Sequence, residues 1–446
     1  MTFSVIRSAR SMVRPSGPTP SGVLDLSFID GMPALRTKVR ALHVFRHGQE
    51  AAKVISEALS KALVPYYPMA GRLKESSQGV LQISCTGEGI WFVQASANCS
   101  LETVNYFDNV GMTPNDKLLP DQPFEANGMD PLVQMQVTEF TCSGFVIGFI
   151  FCHAICDGLG MAQFLNAVGE FARGLQQPSV APVWLREIIP TPPRLLRAAT
   201  GPTPRRPPPP SSPPLTMPDY KLQHATIDIS PDGINQLKGE FLELTGRTCS
   251  TFEVVAACLW SCRTRAIDFK RGTQVKLVYL ANGRHLFNPP LPKGFYGNCF
   301  FPINVTVSSE ALSQASIAEV IKLIQEARSR ELIEFTKWLD GDSGEAGADS
   351  YAPSVIYSRL VVSEWGRLGL NQVDYGWGRP VHLVPIEGST IAPVAIIGYP
   401  PTPKKGIRLM TWSVKGAHLP CFLEQMMNLG LDGSGVSLGL LRSASL

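Results

Sequence analysis

His153, with Asp157 four residues further on, is the pattern in this 446-residue chain best suited to chemistry. A neutral imidazole titrates near working pH, so it can take a proton from an alcohol or amine as that group attacks a carbonyl carbon. An aspartate four residues later, in a tight turn, can hold the backbone by accepting main-chain N–H bonds or by pairing with a distant arginine. Gly158 and Gly160 follow, and glycine supplies the left-handed or crowded backbone such a turn requires. The spacing alone fits two readings: a general base, or a buried histidine that satisfies only its own hydrogen bonds. The other histidines (His43, His47, His224, His285, His382 and His418) read as lying in polar or turn contexts.

The elements around His153 favour a held side chain. The apolar run Phe145 to Cys152 predicts a buried strand that ends at the histidine, and an amphipathic helix is predicted from about Gly160 to Arg173. A strand end feeding a glycine-rich turn can fix a side chain over a cleft. Earlier in the chain, apolar positions at Val54, Ile55, Ala58, Leu59 and Ala62 give the helical period over 51–63. Strands are predicted at 80–84, 90–95, 133–140 and 144–151, and the segment near the N-terminus reads as an opening strand. After a proline-rich stretch at 190–218, a strand is predicted near 221–229, with helices at 231–244 and 250–268. The last of these begins with the capping pattern Ser250-Thr-Phe-Glu253. Residues 339–352 read as a loop. Both halves therefore mix helices with strand pairs, which predicts two α/β domains around a shared interface.

Other chemistries find less support. Gly435-Val-Ser437-Leu-Gly439 matches a hydrolase elbow, but no acid or histidine follows it. Neither a GxxxxGK[ST] phosphate loop nor a GxGxxG between strand and helix is present. The 10 cysteines include no CxxC pair and no zinc-ligand spacing, so they read as free thiols and no metal is expected. A net charge of +3, with the two signs interspersed, gives no case for nucleic acid. No apolar run approaches the roughly 18–20 residues that span a bilayer. The N-terminus lacks a signal-peptide core and the last three residues lack a peroxisomal tail, so a cytoplasmic location is expected.

Two further segments complete the pattern: Asp374-Tyr-Gly-Trp-Gly378, and a lone Arg284 ahead of the rigid Pro289 to Asn298 stretch. With His153-x-x-x-Asp157-Gly158 they resemble the BAHD plant acyltransferases, whose signatures are HxxxDG and DFGWG. Tyr375 stands where that family has Phe. Leu26 to Asp30, Tyr66 to Leu73, Gln134 to Thr138 and Ser250 to Glu253 also look like family landmarks, so the resemblance covers nearly the whole chain.

The resemblance implies two chloramphenicol-acetyltransferase-like domains, at 1–189 and 219–430, joined by the proline-rich crossover at 190–218; the small, polar composition of 431–446 reads as a flexible tail. It implies a ternary complex in which His153 deprotonates an alcohol or amine acceptor that attacks an acyl-CoA thioester. Asp157 would pair with Arg284, and Asp374, sometimes given a catalytic label in the family, would be structural. Trp377 would stand near the channel and the oxyanion, and Ser250 and Thr251 near the pantetheine arm. It implies a monomer that needs no cofactor, acyl-CoA being a co-substrate. The likeness is greatest to grass enzymes that use hydroxycinnamoyl-CoA, with benzoyl- and acetyl-CoA transferases as alternatives. A p-coumaroyl or feruloyl group and a monolignol-like alcohol are the expected substrates. A thioesterase and a pseudoenzyme are the non-transferase alternatives.

Overall fold

The structure, a computed structural model, describes residues 3–76, 80–108, 115–121, 130–191, 220–340, 356–386 and 392–429. The first half contains β1 (Val5–Val13), β2 (Val23–Asp25), β3 (Lys38–Phe45), β4 (Arg72–Glu75), β5 (Leu81–Ser84), β6 (Ile90–Ala97), β7 (Val133–Glu139) and β8 (Phe145–Cys152). Helix α1 (Ala51–Ala62) precedes β4 and α2 (Gly158–Ala172) follows β8. The second half contains β9 (Leu222–Ile229), β10 (Gln274–Asn282), β11 (Phe300–Ser308), β12 (Arg359–Glu364), β13 (His382–Pro385), β14 (Val394–Gly398) and β15 (Ile407–Lys415). Its helices are α3 (Pro231–Thr245), α4 (Thr251–Ile267), α5 (Ser309–Gln314), α6 (Ile317–Ser329), α7 (Glu331–Asp340) and α8 (Leu419–Met427).

These strands form two mixed six-stranded sheets, ordered β1-β6-β7-β8-β3-β13 and β11-β10-β12-β14-β15-β9, and one three-stranded sheet, β2-β5-β4. The elements predicted in the first half, and those over 221–268, fall within a few residues of their expected places. The predicted loop at 339–352 starts late, because α7 runs to Asp340; residues 341–355 lie outside the described residues. So do 192–219, which hold most of the proline-rich stretch, and the tail from 430.

Strand β8 reads as an unbroken apolar run because both its faces are covered, as central strands require. Phe145, Ile147, Phe149 and Phe151 pack toward α1 and α2, while Val146 and Ile150 pack into a separate cluster on the other face. Helix α4 is buried along nearly its whole length and forms the middle of the second core. That explains its weak amphipathic signal: a helix covered all round has no polar face to display.

The two halves are not divided cleanly along the chain. Strand β13 pairs antiparallel with β3, His382 opposite Val44, so the second half contributes the edge strand of the first sheet. The linear boundary expected at 219–430 is corrected to this extent. All four residues of β13 are buried, Leu383 in the core cluster on one face of the sheet and Val384 in the cluster on the other. A second link is Arg408, which is 2% exposed. It binds Asp228 of its own sheet at 2.7 Å and Asp108 of the first half at 2.6 Å. Two carboxylates offset the desolvation of this one guanidinium, as a buried cation requires. No helix among the described residues is long and apolar enough to cross a membrane.

Candidate active site

The turn after β8 is clamped at three points by residues distant in sequence. At its start, the His153 amide donates to the carbonyl of Thr37 at 2.8 Å, and Asn298 Nδ2 donates to the His153 carbonyl at 2.8 Å. In its middle, Arg186 Nη2 donates to the Ile155 carbonyl at 2.9 Å. At its end, Arg284 grips Asp157 in a two-pronged pair of 2.8 and 2.9 Å. Such a fork is the strongest common form of ion pair.

Asp157 also caps α2, accepting from the Gly160 amide at 2.9 Å, and accepts from the Cys299 amide at 3.1 Å. Both of its oxygens are thus committed. Burial works against the charge on Arg284, but the charge of Asp157 and its hydrogen bonds outweigh that cost and raise the guanidinium pKa. The carboxylate meets Arg284, the partner the resemblance implied, and both residues also border the cavity that His153 lines. Gly160 is needed for space, not for a left-handed backbone. A Cβ there would stand 1.9 Å from the carbonyl oxygen of Tyr296, which approaches from the other half.

The protonation of His153 follows from a second chain of contacts. Asp30 is fully buried, and its Oδ1 accepts from the side-chain amide of Asn298 at 2.7 Å and from the Asn298 main chain at 3.0 Å. Carboxylate and carbonyl oxygens only accept, so the Asn298 NH₂ must point at Asp30 and at the His153 carbonyl. The amide oxygen is therefore turned to His153 Nδ1, 3.1 Å away. An oxygen there requires the hydrogen on Nδ1, which leaves the lone pair on Nε2. Behind Asp30 stands Arg186, also buried, with Nε 2.9 Å from Oδ2. That contact is angled as an ion pair rather than a hydrogen bond. The Arg186 guanidinium stacks on Trp184 at 4.1 Å and lies 5.0 Å from the rings of Phe295 and Tyr296.

His153 lines a cavity of about 330 Å³ between the halves, near the lower end of the ~300–1,000 Å³ usual for small-molecule sites. Its walls are aromatic: Phe149 and Phe151 from β8, Phe300 at the start of β11, and Trp365 just after β12. Glu364 and Arg367 add a charged pair, 3.3 Å apart. Burial raises the Glu364 pKa, with Arg367 opposing the shift. Burial also pushes the Cys299 thiol up to about 12, so this cavity residue is a neutral thiol and not a nucleophile.

The second signature turn lies elsewhere. Asp374 Oδ1 accepts from the amides of Gly376 and Gly378 at 2.8 and 2.9 Å. Those glycines adopt φ of 109° and 91°, which a side chain would strain. The Asp374 carbonyl accepts from Arg173 at the end of α2. Trp377 packs edge-on against Phe145, ring centroids 5.6 Å apart, and is not among the cavity residues. The expectation that Trp377 stands at the channel is therefore corrected. Its indole packs against the far end of β8, and the cavity's indole belongs to Trp365.

Ser250 and Thr251 likewise lie outside the cavity lining. The Ser250 hydroxyl accepts from the Glu253 amide at 3.2 Å and Glu253 returns the bond to the Ser250 amide at 2.8 Å, a complete capping box. Thr251 Oγ1 accepts from Lys238 at 2.8 Å.

Sequence reasoning assigned no role to Asp30, Asn298, Arg186 or Trp365. Asp30 and Asn298 each end a segment that already looked like a family landmark. Arg186 carried no local signal, because its charge partner Asp30 and the rings of Phe295 and Tyr296 each lie more than a hundred residues away, on opposite sides in sequence.

The profile of the Transferase family matches residues 3–416. Acyl transferase 4 of Oryza sativa subsp. japonica is 45% identical over 96% of this chain and 99% of its own length. A myricetin 3-O-glucosyl 1,2-rhamnoside 6'-O-caffeoyltransferase of Crocosmia x crocosmiiflora is 39% identical over 96% of this chain and 99% of its own. Among solved structures, vinorine synthase superposes with a TM-score of 0.69 at 19% identity, covering 96% of this chain and 98% of the other.

Proposed function

The chain belongs to the BAHD Transferase family of acyl-CoA-dependent acyltransferases, and from that premise we propose that it moves a hydroxycinnamoyl group, p-coumaroyl or feruloyl, from CoA to a monolignol-like alcohol. The observation that carries the mechanism is the fixed amide of Asn298, which leaves the Nε2 lone pair of His153 free for an acceptor proton. The acceptor hydroxyl gives its proton to Nε2 as its oxygen bonds to the thioester carbonyl carbon. The tetrahedral adduct then collapses, the C–S bond breaks, and the imidazolium returns the proton to the departing thiolate. Asp157 and Arg284 take no part in these transfers; they hold the turn. Much of the rate would come from keeping both substrates against the same imidazole. No metal or redox group is required by this sequence of steps.

The aromatic walls support a planar aryl substrate, since stacked and edge-on ring pairs add to plain burial. The caffeoyl transfer in the name of the Crocosmia relative supports a phenolic acyl group. The test is release of free CoA thiol from p-coumaroyl-, feruloyl-, benzoyl-, acetyl- and malonyl-CoA, each with and without a panel of alcohols and amines. Acceptor-dependent release, fastest with the first two donors, is expected. A strong preference for acetyl-CoA would contradict the hydroxycinnamoyl assignment, and release without any acceptor would mark a thioesterase.

A further inference from the structure

His43 stands out once the site is built. The sequence context suggested a polar or turn position; instead it lies within β3, fully buried, because Ala41-Leu-His-Val-Phe45 continues the first sheet. Neither ring nitrogen has a hydrogen-bond partner among the described residues. Burial drives the ring's pKa down to about 3, so it is neutral and carries one donor and one acceptor, both unused. Buried polar groups left unpaired are rare in native proteins, and each asks for an explanation.

The position of His43 supplies one. Side chains alternate along a strand, so Val39, Ala41 and His43 share a face of β3. Val39 lines the cavity, and so does Phe149, which pairs with Ala41 and whose ring centroid is 5.1 Å from that of His43. Ala41, between the cavity wall and the histidine, contributes only a methyl group. Four residues of extended strand cover about 13 Å, a span suited to a rigid arylpropenoyl chain with a hydroxyl at the far end of its ring.

We infer that His43 closes the far end of the acyl subsite and hydrogen-bonds the para hydroxyl of a hydroxycinnamoyl group, with Phe149 turning aside to admit the ring. This deepens the hydroxycinnamoyl reading and rests on it. A site built to bond a hydroxyl rejects the analogue that lacks one far better than an apolar pocket can.

The experiment needs no acceptor: calorimetric binding of p-coumaroyl-CoA, cinnamoyl-CoA and free CoA to the wild type, His43→Leu and His43→Gln, with thermal melts of each. The wild type should bind p-coumaroyl-CoA at least tenfold tighter than cinnamoyl-CoA. In His43→Leu that ratio should fall to about one while the melting temperature holds or rises, since two unpaired polar atoms have gone. His43→Gln, which keeps a donor and an acceptor, should retain part of the preference and serves as the check should the leucine variant fold poorly. Equal binding of the two thioesters by the wild type, or an unchanged ratio in His43→Leu, overturns the inference and leaves the hydroxycinnamoyl reading standing. Failure of both thioesters to bind more tightly than CoA itself overturns the two together.

Discussion

Two signature turns, each built on an aspartate, have opposite relations to the chemistry. Asp157 looks across the domain interface: it takes both prongs of Arg284 and the Cys299 amide from the second half, and it sits one turn behind the base. Asp374 looks inward: its carboxylate caps two glycine amides of its own loop, and the loop docks Tyr375 and Trp377 against the first half. The first turn positions His153, the proposed base. The second fastens the strand that crosses to β3, seven residues ahead of the pairing of Val381 and His382 with Val44. A signature motif thus need not mark a reacting group; the partners of its charged residue decide.

Four substitutions test the contrast. Asp157→Ala should have the largest effect, a loss of about 3 kcal/mol, the lower end for breaking a buried ion pair, because it strands a half-buried guanidinium, together with slower transfer. A chemical melt within 1 kcal/mol of wild type, as an order of magnitude, would show that the pair does not hold the halves. Asn298→Leu should lower kcat by roughly 10²-fold by releasing the His153 tautomer, a smaller loss than the ~10⁴-fold seen when a triad aspartate becomes an amide. Donor KM should stay near wild type, and ¹⁵N shifts of the His153 ring should change from one Nδ1–H tautomer to a mixture. An unaltered ring spectrum would remove Asn298 from the account.

Asp374→Ala should cost about 2 kcal/mol through two lost charge-assisted hydrogen bonds, while the folded fraction keeps a near-normal kcat. A collapse of kcat in well-folded protein would instead place Asp374 in the chemistry. Tyr375→Phe should have the smallest effect. The hydroxyl is buried with no partner among the described residues, and removing it should leave stability unchanged or raise it by about 1 kcal/mol. A clear loss of stability would mean that the hydroxyl is satisfied after all.

How much of this was legible in the chain divides along the same line. Local patterns were readable: β8 as an apolar run, α1 from its period, the Ser250 cap from its glutamate, and the Asp157–Arg284 pair through resemblance. Long-range polar contacts were not. Asp30 reaches Asn298 across 268 residues and Asn298 reaches His153 across 145, and no periodicity encodes such a meeting. Trp377 was misplaced because its position at the channel came through resemblance alone, whereas the structure packs its indole against Phe145. His43 was passed over because a single histidine in a short apolar stretch carries no spacing signal; only its burial and its unpaired nitrogens make it conspicuous.

The central claim is that His153, held as the Nδ1–H tautomer, is the base for acyl transfer. Its most direct test is the acceptor-dependent transfer rate of His153→Ala at saturating donor, with a thermal melt on the same sample. The account predicts a rate roughly 10²–10⁴-fold below wild type in a protein that melts normally. A rate close to wild type would show that the proton leaves by another route, and the relay from Asp30 through Asn298 would lose its purpose.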